Sequence, residues 1–237
     1  DIAGGWLDQP FVSRHHPGAV ITVSLEPTVE FNERSGMATS TRRTAIKLWG
    51  SKMPVDRFDK VAWMLFCCDN PPGKQEISGA QDSIGLVFPG LARSDYAGEY
   101  WPHTIEHVLD EETLRFVEQH LCLMPLGPRE EGFAVLENTN ITPAGAKALA
   151  DATTACWAAI LAHDVGGFGQ AVRASFEAQI AMFPNMVTPG VRELIAAHRD
   201  GALGWKLSGA GGGGYVIFVA EQPLPDSMRV VVRRRLE

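Results

Sequence analysis

Hydrophobic and polar residues follow two different periods along this chain, and the switches between them mark its elements. Ala19-Val20-Ile21-Thr22-Val23-Ser24-Leu25 is short and β-branched, which predicts a strand, and Thr28-Val29-Glu30-Phe31 predicts a second. Residues 42–49 carry a helical period, with Ala45, Ile46, Leu48 and Trp49 expected on the buried side. Residues 55–68 repeat that period through Phe58, Val61, Ala62, Leu65 and Phe66, and Asp69-Asn70-Pro71-Pro72-Gly73 stops it. A polar segment over residues 93–101 precedes strands expected near 103–108 and 121–125. Residues 129–132 are expected as an exposed loop.

From Thr142 the pattern is mostly helical. Thr142-Pro143 supplies an N-cap and a first-turn proline for a helix running to about His163. Gly166-Gly167 is expected to break it, residues 168–182 to form the next helix, and Thr188-Pro189 to open a third that Gly201 closes. Strands at residues 215–219 and 228–232 complete the set. Helices and strands mix without strict alternation, which predicts an α+β fold with antiparallel sheets. No internal repeat is present.

Composition narrows the partners. With 237 residues, 45% hydrophobic and 21% charged, the chain suits one large domain or two modest ones sharing an interface. A net charge of -7 and a pI near 5.5 argue against a general nucleic-acid or anionic-membrane surface. The basic cluster Arg233-Arg234-Arg235 is expected to be a solvated tail. Cys67, Cys68, Cys122 and Cys156 show neither zinc-knuckle nor disulfide-framework spacing, so reduced thiols, most of them in the core, and a cytoplasmic location are expected. No apolar run has the length of a membrane span, and no signal peptide is visible. The first residue is Asp1, inside what reads as a strand, so further sequence is expected to precede it.

Candidate chemistry is concentrated where glycine, hydroxyl and carboxylate residues cluster. Lys206-Leu207-Ser208-Gly209-Ala210-Gly211-Gly212-Gly213-Gly214 holds five glycines in six positions, a backbone able to take positive φ and to turn consecutive N–H groups toward an anion. A flexible linker is the alternative for such a run, but Tyr215-Val216-Ile217-Phe218-Val219 follows it as a strand without a spacer. The run opens a strand rather than a helix, so it is no dinucleotide fingerprint. Ser35-Gly36-Met37-Ala38-Thr39-Ser40-Thr41 feeds a helix N-terminus, which fits either an anion site or an ordinary Thr39 or Ser40 cap. Asp82 lies in the small-residue stretch Gly79-Ala80-Gln81-Asp82-Ser83-Ile84-Gly85. His163-Asp164 at a helix end fits a dipole-complementing histidine, and no nucleophile elbow completes a triad. Trp6 and Trp101 suit stacking on a sugar ring or packing at the core rim.

Taken together, these pieces resemble the GHMP kinases. Residues 1–10 (DIAGGWLDQP) resemble the first motif in its fucokinase and heptose phosphate kinase form, residues 35–41 (SGMATST) the second, and residues 206–214 (KLSGAGGGG) the third. The Gln81-Asp82 segment with Pro89-Gly90 resembles the fucokinase stretch that carries the catalytic aspartate. The resemblance implies the family's two-lobe α+β fold: a lobe like domain 2 of ribosomal protein S5 over residues 1–120, and a ferredoxin-like lobe over 121–237. It implies transfer of the ATP γ-phosphoryl group to a hydroxyl of a sugar or sugar phosphate, with Mg2+, in a monomer or homodimer. Asp82 would be the catalytic base, and Ser35, Gly36, Met37, Ala38, Thr39, Ser40 and Thr41 would hold ATP phosphates. Ser40 and Asp69 would serve the magnesium, with Glu76 a competing carboxylate. Gly5, Trp6, Asp8, Gln81, Gly209, Gly211 and Gly212 would frame the acceptor.

The sequence departs from the family in three ways. The first and second motifs are separated by fewer residues than usual, Ala38 stands where glycine is usual, and Glu33-Arg34 stand where proline and glycine usually sit. A non-catalytic, metabolite-binding relative and a kinase for a non-sugar acceptor are the alternatives.

Overall fold

The computed structural model of the chain describes residues 1–28, 37–50, 52–127, 129 and 133–235. Two antiparallel sheets organise it. The first is formed by β1 (Gly18–Val23), β2 (Leu91–Tyr96) and β3 (Thr104–Val108) in that order. The second joins β4 (Leu121–Gly127), β5 (Gly204–Leu207), β6 (Gly214–Val219) and β7 (Met228–Arg229) in the order β5-β6-β4-β7. Eight α-helices and two short 3-10 turns (Pro184–Met186 and Arg199–Gly201) complete the described residues: α1 (Pro10–Ser13), α2 (Thr39–Trp49), α3 (Phe58–Asp69), α4 (Gln81–Val87), α5 (Glu111–His120), α6 (Pro143–Leu161), α7 (Val165–Met182) and α8 (Pro189–His198). The fold is α+β, as the pattern predicts.

Strand alternation divides the apolar residues between cores. In β4, Leu121 and Leu123 enter a central core, while Cys122 and Met124 enter an outer one beneath α8. In β6, Tyr215, Ile217 and Val219 face the first core, and Val216 and Phe218 the second. The central core also takes Ile2 and Ile21 from the first half of the chain and Trp157, Ile160 and Phe168 from α6 and α7. The expected boundary at 120/121 falls at the α5–β4 junction, yet apolar packing runs across it. A third core lies under α3 and α4, built on Leu7, Val20, Leu65, Ile84, Tyr96 and Phe183.

Several local expectations are corrected. Residues 91–96 form β2, whose Ala92, Ser94 and Tyr96 are buried while Arg93 and Asp95 pair at 3.1 Å. The sequence reading missed this strand because a buried serine breaks its apolar alternation. The α5 helix, capped by Asp110 through the Thr113 N–H, was also not foreseen. Gly166 and Gly167 sit inside α7. The break lies just before, at His163 (φ 54°), and the Asp164 carboxylate caps α7 through the Gly167 N–H. Ile46 and Leu48 of α2 are exposed, and the helix buries Thr41. Cys67 and Cys68 are exposed; Cys122 and Cys156 are buried. The second sheet keeps the strand order of the expected ferredoxin-like lobe, with residues 220–227, which include Pro223 and Pro225, joining β6 to β7 without a helix. Of the expected strand over residues 28–31, only Thr28 is among the described residues, and it is not in a strand. The expected loop over residues 129–132 lies outside them except for Arg129.

Basic residues near the end of the chain are docked, contrary to the expected solvated tail. The Glu26 N–H donates to the Val231 carbonyl at 2.7 Å, the Arg233 N–H to Ser24 at 2.8 Å, and the Gly90 N–H to the Arg233 carbonyl at 2.6 Å. Arg234 pairs with Glu111 and Glu118 of α5. Residues 228–234 thereby stitch the second sheet to the end of the first.

The α7–β5 contact depends on two glycines meeting. A Cβ at Gly204 would lie 1.9 Å from the Gly169 carbonyl oxygen, a backbone atom that cannot rotate away. Gly204→Ala is therefore expected to cost about 1–3 kcal/mol by overpacking, read as a lower urea midpoint at an unchanged m-value.

Candidate active site

The site is assembled on the first nine residues. Ile2 and Ala3 bridge to Ile21 of β1, with N–H to carbonyl distances of 2.8 and 3.0 Å. Gly4 then turns at φ 78°, where a Cβ would strike the Ala19 carbonyl oxygen at 2.0 Å, so only glycine fits. Two side chains of α7 hold this turn: Ser175 Oγ accepts from the Gly4 N–H at 3.0 Å, and Gln179 Nε2 donates to the Gly5 carbonyl at 2.9 Å. Trp6 takes a left-handed φ of 81°, unusual for an aromatic residue, and stacks on Phe183 with centroids 4.5 Å apart.

Both ends of this segment are anchored by carboxylates. Asp1 and Lys206 form a fully buried ion pair, and the Gly209 N–H also donates to Asp1, at 3.3 Å. Asp8, 1% exposed, accepts a long 3.5 Å contact from the Gln81 N–H; a Cβ on Gly79 would lie only 1.6 Å from the same oxygen. Asp8 is therefore seated against the start of α4.

The α4 helix places Asp82 in its first turn. Gln81, Asp82, Gly85 and Leu86 share one face of it, and that face lines a cavity of about 570 Å³. The start of α2 lines the same cavity with Met37, Ala38, Thr39 and Ser40. Ala38 sits at φ 46° as the N-cap, and among the described residues no side chain caps the helix, so neither Thr39 nor Ser40 plays the simple capping role. The left-handed conformation explains why glycine is usual at this position. From the second sheet come Ser208, Gly209 and Ala210.

The cavity thus gathers Gly5, Trp6, Asp8, Gln81, Asp82, Met37, Ala38, Thr39, Ser40 and Gly209 from the sequence-predicted set. It does not gather all of them. Thr41 is buried within α2, where its hydroxyl donates to Asp69 at 2.7 Å. Asp69 also accepts from Thr44 at 3.0 Å and is not among the lining residues. Gly211 and Gly212 take positive φ but pack against Met186 and Phe133, away from the cavity. Ser35 and Gly36 lie outside the described residues. Glu76 is exposed and lines no part of the cavity. Trp101 packs on Trp63 and Phe66 at the rim of the third core.

Sequence reasoning missed several lining residues. Asp1 is one. Arg42, Arg43, Arg129 and Arg233 are the others that carry charge, which makes the cavity richer in cations than a chain of net charge -7 suggests. The Gln81 side-chain oxygen is buried and accepts no hydrogen bond from the described residues, so a ligand hydroxyl would satisfy it. No cluster of three His, Cys, Asp or Glu side chains suited to a metal occurs among the described residues. Magnesium needs fewer protein ligands than that when phosphate oxygens and waters complete its shell.

Burial sets the charge states. It raises the Asp8 carboxyl from 3.8 to about 7, and the neighbouring Asp82 adds to the shift. Burial also raises Asp82, with Asp69 contributing in the same direction. Two neighbouring carboxyls with raised proton affinity leave one able to stay neutral beside an ionised partner.

Two outcomes follow. Between the ordinary aspartate range and about pH 7, the folded chain holds an Asp8 proton that the unfolded chain has released. Stability is expected to fall as pH rises through that window and to level off above it. Asp8→Asn is expected to flatten this slope, gaining on the order of a few kcal/mol more at pH 8 than at pH 5, as read by urea midpoints. Lys206→Met leaves Asp1 buried without its cation and is expected to cost about 3–5 kcal/mol in the same measurement.

Comparison with known proteins bears on the fold. Residues 158–236 match the family described as GHMP kinases C terminal. No curated protein matches the chain by sequence. Among solved structures, the chain is similar to a D-glycero-D-manno-heptose 1-phosphate kinase from Bacteriodes thetaiotaomicron. That match has a TM-score of 0.57 at 14% identity, over 85% of this chain and 62% of that one. Galactokinase of Lactococcus lactis, solved with galactose, gives 0.53 at 16% identity, over 79% and 57%. Mevalonate kinase of L. major, solved with R-mevalonate, gives 0.56 at 15%, over 78% and 57%. The chain thus spans less than two thirds of the length of the structures it matches. Residues 158–236 thus match the GHMP kinase C-terminal model, and the chain shares the fold of the GHMP kinases it is similar to.

Proposed function

We propose that this chain is a small-molecule kinase, transferring the γ-phosphoryl group of ATP to a hydroxyl of a sugar or sugar phosphate. The observation that carries the reading is the meeting of Asp82, the start of α2 and the Gly209 turn around one cavity. Phosphoryl transfer asks a protein for positioning and charge neutralisation more than for covalent chemistry. ATP with magnesium supplies the activated phosphoryl group and its counter-charge.

Each wall then has a task. Asp82 accepts the proton of the acceptor hydroxyl, and burial makes it a stronger base than an exposed aspartate. The Gln81 side-chain oxygen takes a hydrogen bond from a second acceptor hydroxyl. Backbone amides at the start of α2 and at the Gly209 turn receive phosphate oxygens, aided by the positive end of the helix. Ser40, which lines the cavity, would hold the magnesium. Asp69 works behind it, fixing the first turns of α2 through Thr41 and Thr44.

A second reading has its own support. Ala38 in a left-handed conformation and the short span between the first two motifs suit a relative that binds a metabolite without turning over ATP. Calorimetry with ATP and magnesium separates the two, because tight nucleotide binding removes the second. In a coupled ADP-release assay over a panel of sugars and sugar phosphates, acceptor-dependent turnover is expected. Asp82→Asn should lower kcat by about 100-fold or more. Turnover that survives this substitution, or ADP release that needs no acceptor, overturns the mechanism.

A further inference from the structure

One ammonium closes the connection between α3 and α4. The α3 helix ends at Asp69, with Asn70 as its C-cap. Pro71, Pro72, Gly73 and Lys74 then turn the chain back: the Lys74 N–H donates to the Pro71 carbonyl at 3.1 Å, and Gly73 takes φ 90°. The Lys74 side chain thereby returns to the end of α3. Its Nζ donates to three oxygens, the Asp69 carbonyl at 2.8 Å, Ser78 Oγ at 2.9 Å and Asn70 Oδ1 at 3.1 Å. An ammonium has three donors, so each finds an acceptor.

Asn70 grips Ser78 as a strand would. Its Oδ1 accepts from the Ser78 N–H at 2.8 Å, and its Nδ2 donates to the Ser78 carbonyl at 3.1 Å. Ser78 and Gly79 line the cavity, Gly79 seats Asp8, and Gln81 and Asp82 follow directly. On the other side of the joint, the Asp69 carboxylate holds Thr41 and Thr44 of α2. Asp69-Asn70 is therefore the point from which both the start of α2 and the approach to α4 are held, and Lys74 locks the second of them. None of its three acceptors carries a charge. Without a cation between them their partial charges would face one another, and Ser78 would be free to turn away.

We propose that Lys74 is a tethered cation that positions Asp82 by fixing Ser78, and that a small hydrogen-bonding cation can take its place. The consequence for chemistry rests on the kinase reading above; the fixing of the segment does not. A displacement of about 1 Å at the reacting groups is enough to cost a large factor in rate.

The test uses the full chain, with hydrogen exchange, calorimetry with ATP and magnesium, and ADP release. In Lys74→Ala, amide exchange over residues 78–84 should quicken by about 10- to 100-fold, while that of α6 and α7 stays as in the parent. The kcat for ADP release should fall by about the same factor with ATP affinity unchanged. Ammonium or methylammonium should move both readouts back toward the parent. Tetramethylammonium, of equal charge but without an N–H, should move neither. Lys147→Met, on an exposed residue of α6 paired with Asp151, should change nothing. If Lys74→Ala fails to fold, Lys74→Met keeps the stem, removes the donors and carries the exchange and kcat comparisons. The proposal is overturned if exchange over residues 78–84 stays at the parent rate, if no amine rescues Lys74→Ala, or if tetramethylammonium rescues it as well. A fall in ATP affinity matching the fall in kcat overturns it too, since the lysine would then act through α2. A parent chain without acceptor-dependent ADP release sinks the kinase reading, and exchange with its rescue then decides this inference alone. An active parent with unchanged exchange and turnover in Lys74→Ala sinks the inference and leaves the kinase reading standing.

Discussion

A buried ion pair between Asp1 and Lys206 is the constraint from which the rest of the cavity takes its position. Both side chains are essentially inaccessible, and a charge in such a place is tolerable only with a close opposite charge and further hydrogen bonds. Lys206 sits on β5, just before the glycine turn, and Asp1 leads into the Gly4-Gly5 turn. The pair therefore registers the first segment against the second sheet. Once that register is set, Gly4 and Gly5 meet Ser175 and Gln179, and Asp8 is delivered to the start of α4. Asp82 inherits its place from this sequence of contacts.

The electrostatics of the cavity follow from the same packing. Asp8 and Asp82 come close because Asp8 is seated against Gly79, where any side chain would collide with it, and Asp82 lies in the first turn of α4 just beyond. Holding like charges together in a poorly solvated place raises proton affinity. Arg42, Arg43, Arg129 and Arg233 line the remaining walls opposite the carboxylates, so both signs of charge meet around the cavity of a protein that is acidic overall.

What the sequence made legible was local. The glycine run and the strand after it, the Gly4-Gly5 turn, the Thr142 and Thr188 helix starts and the place of Asp82 could each be read from a few adjacent residues. What it hid was pairing over distance. Nothing near Lys206 says that its partner lies 205 residues earlier, and nothing in Arg233-Arg234-Arg235 separates a solvated tail from a docked segment. The β2 strand escaped notice because Ser94 occupies a buried position, and polarity was taken for exposure. The exposed Ile46 and Leu48 mislead in the opposite sense, since helical spacing cannot reveal which face of α2 finds a neighbour. Gly211 and Gly212, which the resemblance assigns to the acceptor, lie with positive φ beside Met186 and Phe133, neighbours distant in sequence.

The stitch made by residues 228–234 bears on how the molecule acquires its shape. It ties Ser24 and Gly90 to Arg233, while Asp1 must find Lys206 across nearly the whole chain. Contacts of such sequence separation carry a large loop-closure entropy and are rewarded only after most of the chain has collapsed. Helices α6 and α7, neighbours in sequence, can dock early, but the recess cannot exist in any early intermediate. Competence to bind ligand should arise last and together with global cooperativity, so ligand present during refolding would act on the final step alone.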